Sequence, residues 1–247
     1  MIKHTIQTRD LIEFLEHIHL NGKVEQVLIE SRDGILTAGF STETRDLIGF
    51  VNTDKFNWIP SMKIAILDIG TLLRMCKLFD SKEVTMVINQ RNDRPVSLSL
   101  SNDTQQISYA FGEPSIVPSP GKSNLPDPSV TFSLTKEISN RLINAIGVIN
   151  DDMLYIMYDS LLHAIDFTIG DIDSNSNKII INVKPNGEQL LLNDVASIKF
   201  SAFYAKDVLQ TIKTDSNQNG WISDQGILAL ESSQDTIQST YYLIQRT

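Results

Sequence analysis

One short plan recurs four times along the chain: an apolar strand, an amphipathic helix, then a hairpin. The helices are expected to begin near Thr8, Thr71, Thr135 and Ala205, a spacing of roughly 65 residues. Self-similarity at a fixed period marks an architecture built by repetition, and it restricts the fold before any motif is sought. Four copies in 247 residues imply two domains, each made twice over. Domains of about 100 to 150 residues bury a full core, so two of them fit this length.

In the first copy Ile2 to Ile6 alternates as a strand, and Leu11, Ile12, Phe14, Leu15 and Ile18 recur at helical spacing behind Thr8, a residue able to cap. After Asn21-Gly22 come Val27 to Glu30, the turn Arg32-Asp33-Gly34, and Ile35 to Ala38, a hairpin. The second copy runs from Ile64-Ala65-Ile66-Leu67 through Leu72, Leu73, Met75, Cys76 and Phe79 to Val84–Ile88, a turn at Asn92-Asp93-Arg94-Pro95, and Val96–Leu100. The third leads from Val130–Leu134 into a helix with Ile138, Leu142, Ala145 and Ile146, ended by Gly147. Two strands follow it, Met153–Tyr158 and Leu161–Phe167, around Asp159-Ser160. The fourth has Ile198-Lys199-Phe200, a helix with Ala205, Val208, Leu209 and Ile212, then Trp221-Ile222-Ser223 and Ile227–Leu230. Ser31-Arg32-Asp33-Gly34-Ile35-Leu36 and Ser223-Asp224-Gln225-Gly226-Ile227-Leu228 are the same turn.

Between the second and third copies, the stretch from Glu113 to Pro128 holds five of the eight prolines. Proline favours extended chain without ladder bonds, so this segment is expected to lie as a strap rather than join a sheet. It divides the chain into a domain over residues 1–112, a connector over 113–129, and a second domain over 130–247.

No apolar run approaches the ~20 residues that cross a bilayer, so no membrane partner is expected. The start of the chain, Met1-Ile2-Lys3-His4-Thr5-Ile6, alternates as a strand and lacks the layout of a secretory leader. Cys76 is the one cysteine, which leaves no intrachain disulfide and fits a reducing cytoplasm. The net charge of −9 argues against a protein that coats nucleic acid over its whole surface. A locally basic face remains compatible with it, and placement then matters more than the sum.

Catalytic patterns are absent. His17 and His19 are two apart, so on a helix they diverge and cannot share a metal; His17 reads as solvated and His19 as packed at the rim. Asp171-x-Asp173-x-Asn175 opens like a calcium loop, but Ser176 stands where glycine is needed and Asn182 where glutamate is needed. Asp151-Asp152 read as turn residues. Neither a nucleophile elbow nor a phosphate-binding glycine loop is present, and Cys76 falls on an apolar helix face. No cofactor or metal is expected.

Each helix must turn one side to a sheet, which leaves the other for solvent or a partner. The free sides hold Arg9, Glu13, Glu16 and His17; Thr71, Arg74 and Lys77; Lys136, Glu137, Asn140, Arg141 and Asn144; and Lys206, Asp207, Gln210 and Thr214, with Lys213 beside them. The helical segments carry about −2, +2, +1 and +1, so the remainder is about −11. That contrast has the sign of a DNA-facing surface, although scattered lysines on a solvated helix give it too.

The order of these features resembles the ring-shaped DNA sliding clamps, in particular the two-domain trimeric type of T-even-like phages, archaea and eukaryotes. Three stretches carry the likeness: Ala65-Ile66-Leu67-Asp68-Ile69 through Leu72-Leu73, the proline-rich connector passing into Val130-Thr131-Phe132, and the closing strand Tyr241-Tyr242-Leu243. Phage and eukaryotic clamps usually continue past that strand into an acidic tail, whereas this sequence stops at Gln245-Arg246-Thr247.

The resemblance implies an α+β fold of two similar clamp domains, each of two pseudo-symmetric strand-helix-sheet units, with helices on the ring interior and sheets outside. It implies a non-catalytic processivity factor that joins head to tail as a homotrimer, encloses double-stranded DNA without reading sequence, and tethers a replicative DNA polymerase. A clamp loader is a further implied partner, and the place of work is the cytoplasm, that of the host if the chain is viral. The channel residues would be Arg74, Lys77, Lys136, Arg141, Lys206 and Lys213, with Arg9 and His17. Subunits would join through Ile107, Tyr109 and Phe111 on one strand and Ile179 and Ile181 on another; read as residues alone, these are equally two internal strands. Partner peptides would dock at Phe40, Val117, Leu125, Pro126 and Tyr242.

Two other classes remain open at the level of residues. One is a structural β-rich subunit of a phage particle. The other is a metal-dependent hydrolase using Asp151, Asp152 and Asp166.

Overall fold

The four helices begin where some group can take their first amides, and these caps fix the boundaries. In the computed structural model, residues 2–120, 125–159, 162–172, 176–186, 197–212 and 217–246 are described. Helix α1 (Thr8–His19) is not capped by Thr8. Gln7 holds the N-cap position without a side-chain bond to the helix amides, while Thr8 donates its hydroxyl to Ser81 O and its N–H to Lys82 O. Helix α2 (Ile69–Cys76) starts two residues ahead of Thr71, because Asp68 Oδ1 accepts the Thr71 N–H at 2.7 Å. Helix α3 (Lys136–Ile149) is capped by Thr135 and runs through Gly147, the expected stop, to a left-handed Asn150 at φ 53°. Helix α4 (Ala202–Ile212) draws its cap partly from a distant residue: Ser201 Oγ accepts from Tyr204 N–H, and Asp152 Oδ1 accepts from Phe203 N–H at 2.9 Å.

By internal contacts the chain divides into two units, the first comprising residues 1–41, 49–121 and 235–239, the second 42–48, 122–234 and 240–247. The first builds sheets from β1 (Ile2–Gln7), β2 (Val27–Arg32), β3 (Ile35–Ser41), β4 (Leu47–Thr53), β5 (Met62–Ile66), β6 (Glu83–Arg91), β7 (Arg94–Ser101) and β8 (Gln106–Ala110). Their orders are β1-β6-β7-β8 and β5-β2-β3-β4. The strand leading into a helix therefore does not pair with the hairpin that follows it. β1 leads α1 yet pairs antiparallel with β6, Ile6 opposite Val84; β5 leads α2 yet pairs with β2, Ala65 opposite Leu28.

The second unit makes the same exchange with β9 (Val130–Ser133), β10 (Leu154–Asp159), β11 (Ala164–Ile169), β12 (Ile179–Val183), β13 (Ile198–Phe200), β14 (Asn217–Ile222), β15 (Ile227–Gln234) and β16 (Ile237–Ile244). β9 leads α3 but pairs with β14, and β13 leads α4 but pairs with β10. Each helix thus crosses between two sheets, and the repeats of a unit are interlocked.

This crossing sets the cores. Leu11, Phe14 and Leu15 of α1 and Leu72 of α2 meet Ile29, Leu36 and Ile64 of one sheet and Met86 and Leu98 of the other. In the second unit Leu142 and Ile146 of α3 and Leu209 of α4 meet Leu154, Phe167, Leu228 and Leu230. Each unit also lays a phenylalanine against a glycine on the neighbouring strand. A Cβ on Gly49 would fall 2.2 Å from the Phe40 ring, and one on Gly220 would fall 2.3 Å from the Phe132 ring. The hairpin turns at Asp33-Gly34 and Asn92-Asp93 have positive φ at both positions, as two-residue turns between twisted strands require.

The described part of the connector forms one short turn, Pro114–Ile116, and no strand. Val117 anchors it against Leu28, Ala65 and Leu67, and Pro120 Cγ lies over Gly39, 3.4 Å from where a Cβ would stand. Among the described residues no helix is long and apolar enough to cross a membrane.

Candidate nucleic-acid interface

In the first unit α1 and α2 pack side by side, with their apolar residues toward the sheets and their charges outward. Arg9 Nε donates to Glu13 Oε1 at 2.6 Å along α1, and Lys77 Nζ reaches Glu16 Oε1 at 2.6 Å, tying the end of α2 to α1. Arg74 Nη2 donates to Thr71 Oγ1 at 2.7 Å, and that hydroxyl donates to Asp68 Oδ2. The Thr71 hydroxyl and amide together hold the Asp68 carboxyl below its usual pKa. Arg9, Arg74 and Lys77 are exposed.

His17 departs from the expectation that it shares this face. It is 6% exposed, with Nδ1 3.3 Å from Ser239 Oγ. Burial pushes its pKa down to about 4, so it is neutral at pH 7 and belongs to the interior. His19, expected at the rim, is the histidine beside the cations. Burial first, then the charges of Lys77 and Arg74, lower its pKa.

The second unit presents α3 and α4 in the same way. Arg141 Nη2 pairs with Glu137 Oε1 at 2.5 Å. Lys136 is exposed in the first turn of α3, and Lys206 of α4 reaches across to α3, its Nζ 3.6 Å from where a Gly147 Cβ would be. Neither lysine has an ion pair among the described residues. Lys213 lies outside the described residues, as do Asp173 and Asn175 of the calcium-like stretch. Within its described span α4 is neutral, Lys206 offset by Asp207.

The other expected residues separate into core and surface. Phe40 is buried against Gly49 and Val117 of the connector against Leu28 and Ala65, both in the first unit; in the second, Leu125 is exposed and Pro126 half-buried. Tyr242 is half-buried against Trp221, ring centroids 5.9 Å apart. The two strands named for subunit contact each lie at the edge of a sheet, β8 beside β7 and β12 beside β11. On β8, Ile107 is half-buried, but Tyr109 is buried, its hydroxyl accepting from Asp68 N–H at 2.9 Å and donating to Asp68 O at 3.2 Å. Phe111, just past β8, is half-buried and lines the core cavity beside Leu98. On β12, Ile179 and Ile181 are half-buried, and Ile180 between them is 52% exposed.

The aspartates named for hydrolysis have other work. Asp152 caps α4 and pairs with Arg246 Nη1 at 2.6 Å, and Asp166 accepts from Asn182. No cluster of three or more metal-ligating side chains occurs among the described residues.

No protein-family model and no curated protein sequence matches the chain. Solved structures match it along its whole length. A PCNA from A. fulgidus, bound to the C-terminal region of FEN-1, superposes with a TM-score of 0.79 at 14% identity, covering 100% of this chain and 99% of that one. The proliferating cellular nuclear antigen of Entamoeba histolytica gives 0.77 at 10% identity, with 99% and 98% covered. The PCNA of Thermococcus kodakaraensis gives 0.75 at 14%, with 99% of each chain covered. The chain has the two-domain α+β fold of the PCNA sliding clamps.

Proposed function

We propose that this protein is a sliding clamp: a non-catalytic homotrimeric ring that encloses duplex DNA and tethers the replicative polymerase, placed on DNA by a loader. The observation that carries the reading is the full-length likeness to PCNA structures joined to where the cations of the helices fall in an acidic chain. Arg74, Lys77, Lys136, Arg141 and Lys206, with Arg9, all stand on the outward sides of the crossing helices. They are sparse, and nothing among them is arranged to read base edges. Each phosphate contact adds salt-sensitive affinity, so few contacts leave a ring free to slide while enclosure supplies retention.

Ring closure is assigned to the β8 and β12 edges, whose free backbone groups and apolar side chains would otherwise invite aggregation. Partner peptides, by the precedent of the FEN-1 complex, are assigned to Leu125 and Pro126 of the connector and to Tyr242. The test is loading onto nicked circular DNA. Replacing Arg74, Lys77, Lys136 and Lys206 by Glu should leave assembly intact and shorten retention on the circle. Unchanged retention and unchanged stimulation of the cognate polymerase would overturn the channel assignment.

A further inference from the structure

His19 ends α1 with its ring set between two glycine backbones. A Cβ on Gly22 would stand 4.0 Å from its Cε1, and one on Gly70 only 3.2 Å from its Nε2. Arg74 Nη1 converges on the same place, 3.4 Å from that Gly70 position. The ring makes no hydrogen bond among the described residues and is half-buried. Four charged groups face it: Lys77 and Arg74 from the α2 side, Asp68 at the α2 cap, and Glu16 on its own helix. Both carboxylates are engaged elsewhere, Asp68 by Thr71 and Glu16 by Lys77.

We infer that His19 is a proton-linked phosphate contact, which joins Arg74 and Lys77 in holding the DNA backbone by taking up a proton as a phosphate arrives. This rests on the DNA-enclosing reading above and adds to it a dependence on pH. Without DNA, burial and the two neighbouring cations disfavour an imidazolium, and the ring is neutral at pH 7. An arriving phosphate brings the negative charge that Asp68 and Glu16 do not offer, and the protonated ring gains an acceptor. Binding that takes up a proton must tighten as pH falls, between the higher pKa of the bound state and the lower pKa of the free state. Above that interval His19 contributes no charge, and the ring holds DNA more loosely.

The experiment is fluorescence anisotropy of a labelled 20-base-pair duplex at low salt from pH 8.0 to 5.5, with the intact protein, His19→Gln, and the controls His4→Gln and His163→Gln. Alongside it, NMR titration of the His19 imidazole is followed with and without saturating duplex. The intact protein should bind about threefold to tenfold tighter at pH 5.5 than at 8.0, since one linked proton gives at most tenfold per pH unit. His19→Gln should remove most of that gain, the controls should keep it, and the imidazole pKa should rise by at least half a unit with DNA. DNA binding with an unshifted His19 titration, or a His19→Gln profile like that of the intact protein, would overturn the proposal and leave the clamp reading standing. Absence of binding at every pH would overturn the proposal, and the clamp reading is then decided by retention on circular DNA. The titration is made on the unaltered protein, so a variant that fails to fold does not remove the test.

Discussion

The helical faces of the two units are built from equivalent elements yet hold their cations differently. On the first, Arg9 and Lys77 are already joined to Glu13 and Glu16, and Arg74 rests on Thr71. On the second, among the described residues, only Arg141 has a carboxylate partner, and Lys136 and Lys206 have none. Helix charge alone hides this, because it counts a paired arginine and an unpaired lysine alike. An exposed ion pair contributes about 0–1 kcal/mol, so a DNA phosphate can take the place of a glutamate at little cost. On the proposed DNA-enclosing reading, Lys136 and Lys206 of the second face would meet phosphate directly, whereas Arg9 and Lys77 of the first would have to exchange partners.

Four predictions test how far the units correspond. The largest effect is expected in the shared core device: Phe40→Ala and Phe132→Ala should each cost about 3–5 kcal/mol in urea unfolding, since each ring is buried against a glycine. A loss in only one would break the structural equivalence. Next is His17, which the second unit does not match. Its folded pKa of about 4 lies below the unfolded value near 6.5, so its contribution is intact above pH 6.5 and is lost as pH falls through 4. Unfolding stability should drop by about 3 kcal/mol over that interval, and His17→Gln should flatten the profile.

Arg246→Ala should destabilise the second unit by about 1–2 kcal/mol, read as a lower melting temperature, because Arg246 pairs with both Asp46 and Asp152 while partly exposed. The smallest effect bears most directly on the two faces. Glu13→Gln with Glu16→Gln should change stability by less than about 0.5 kcal/mol and tighten duplex binding about threefold to tenfold by releasing two cations. Glu137→Gln should tighten it less. Equal gains would show that pairing does not govern either face.

Much of the fold was legible because apolar spacing reports which side of an element is buried, and the fourfold order of elements followed from it. The exchange of β1 with β5, and of β9 with β13, was not. Alternation tells which face of a strand is covered and nothing about which strand lies beside it. The same limit explains the two histidines. A helical wheel orients His17 and His19 relative to α1, but Ser239 arrives beside His17 from 222 residues away, and Arg74 and Lys77 reach His19 only through the packing of α2. Phe40 and Tyr109 were named through the resemblance alone, and burial against Gly49 and hydrogen bonds to the Asp68 main chain, which no local pattern reveals, hold their side chains in the core. The exposed cations were easier to find, since Lys and Arg on the outer side of an amphipathic helix have nowhere else to point.

The central claim is a closed ring, and its mass in solution tests that most directly. Light scattering across micromolar concentrations should give about three times the 27.7 kDa of one chain. A single-chain mass at every concentration would contradict it.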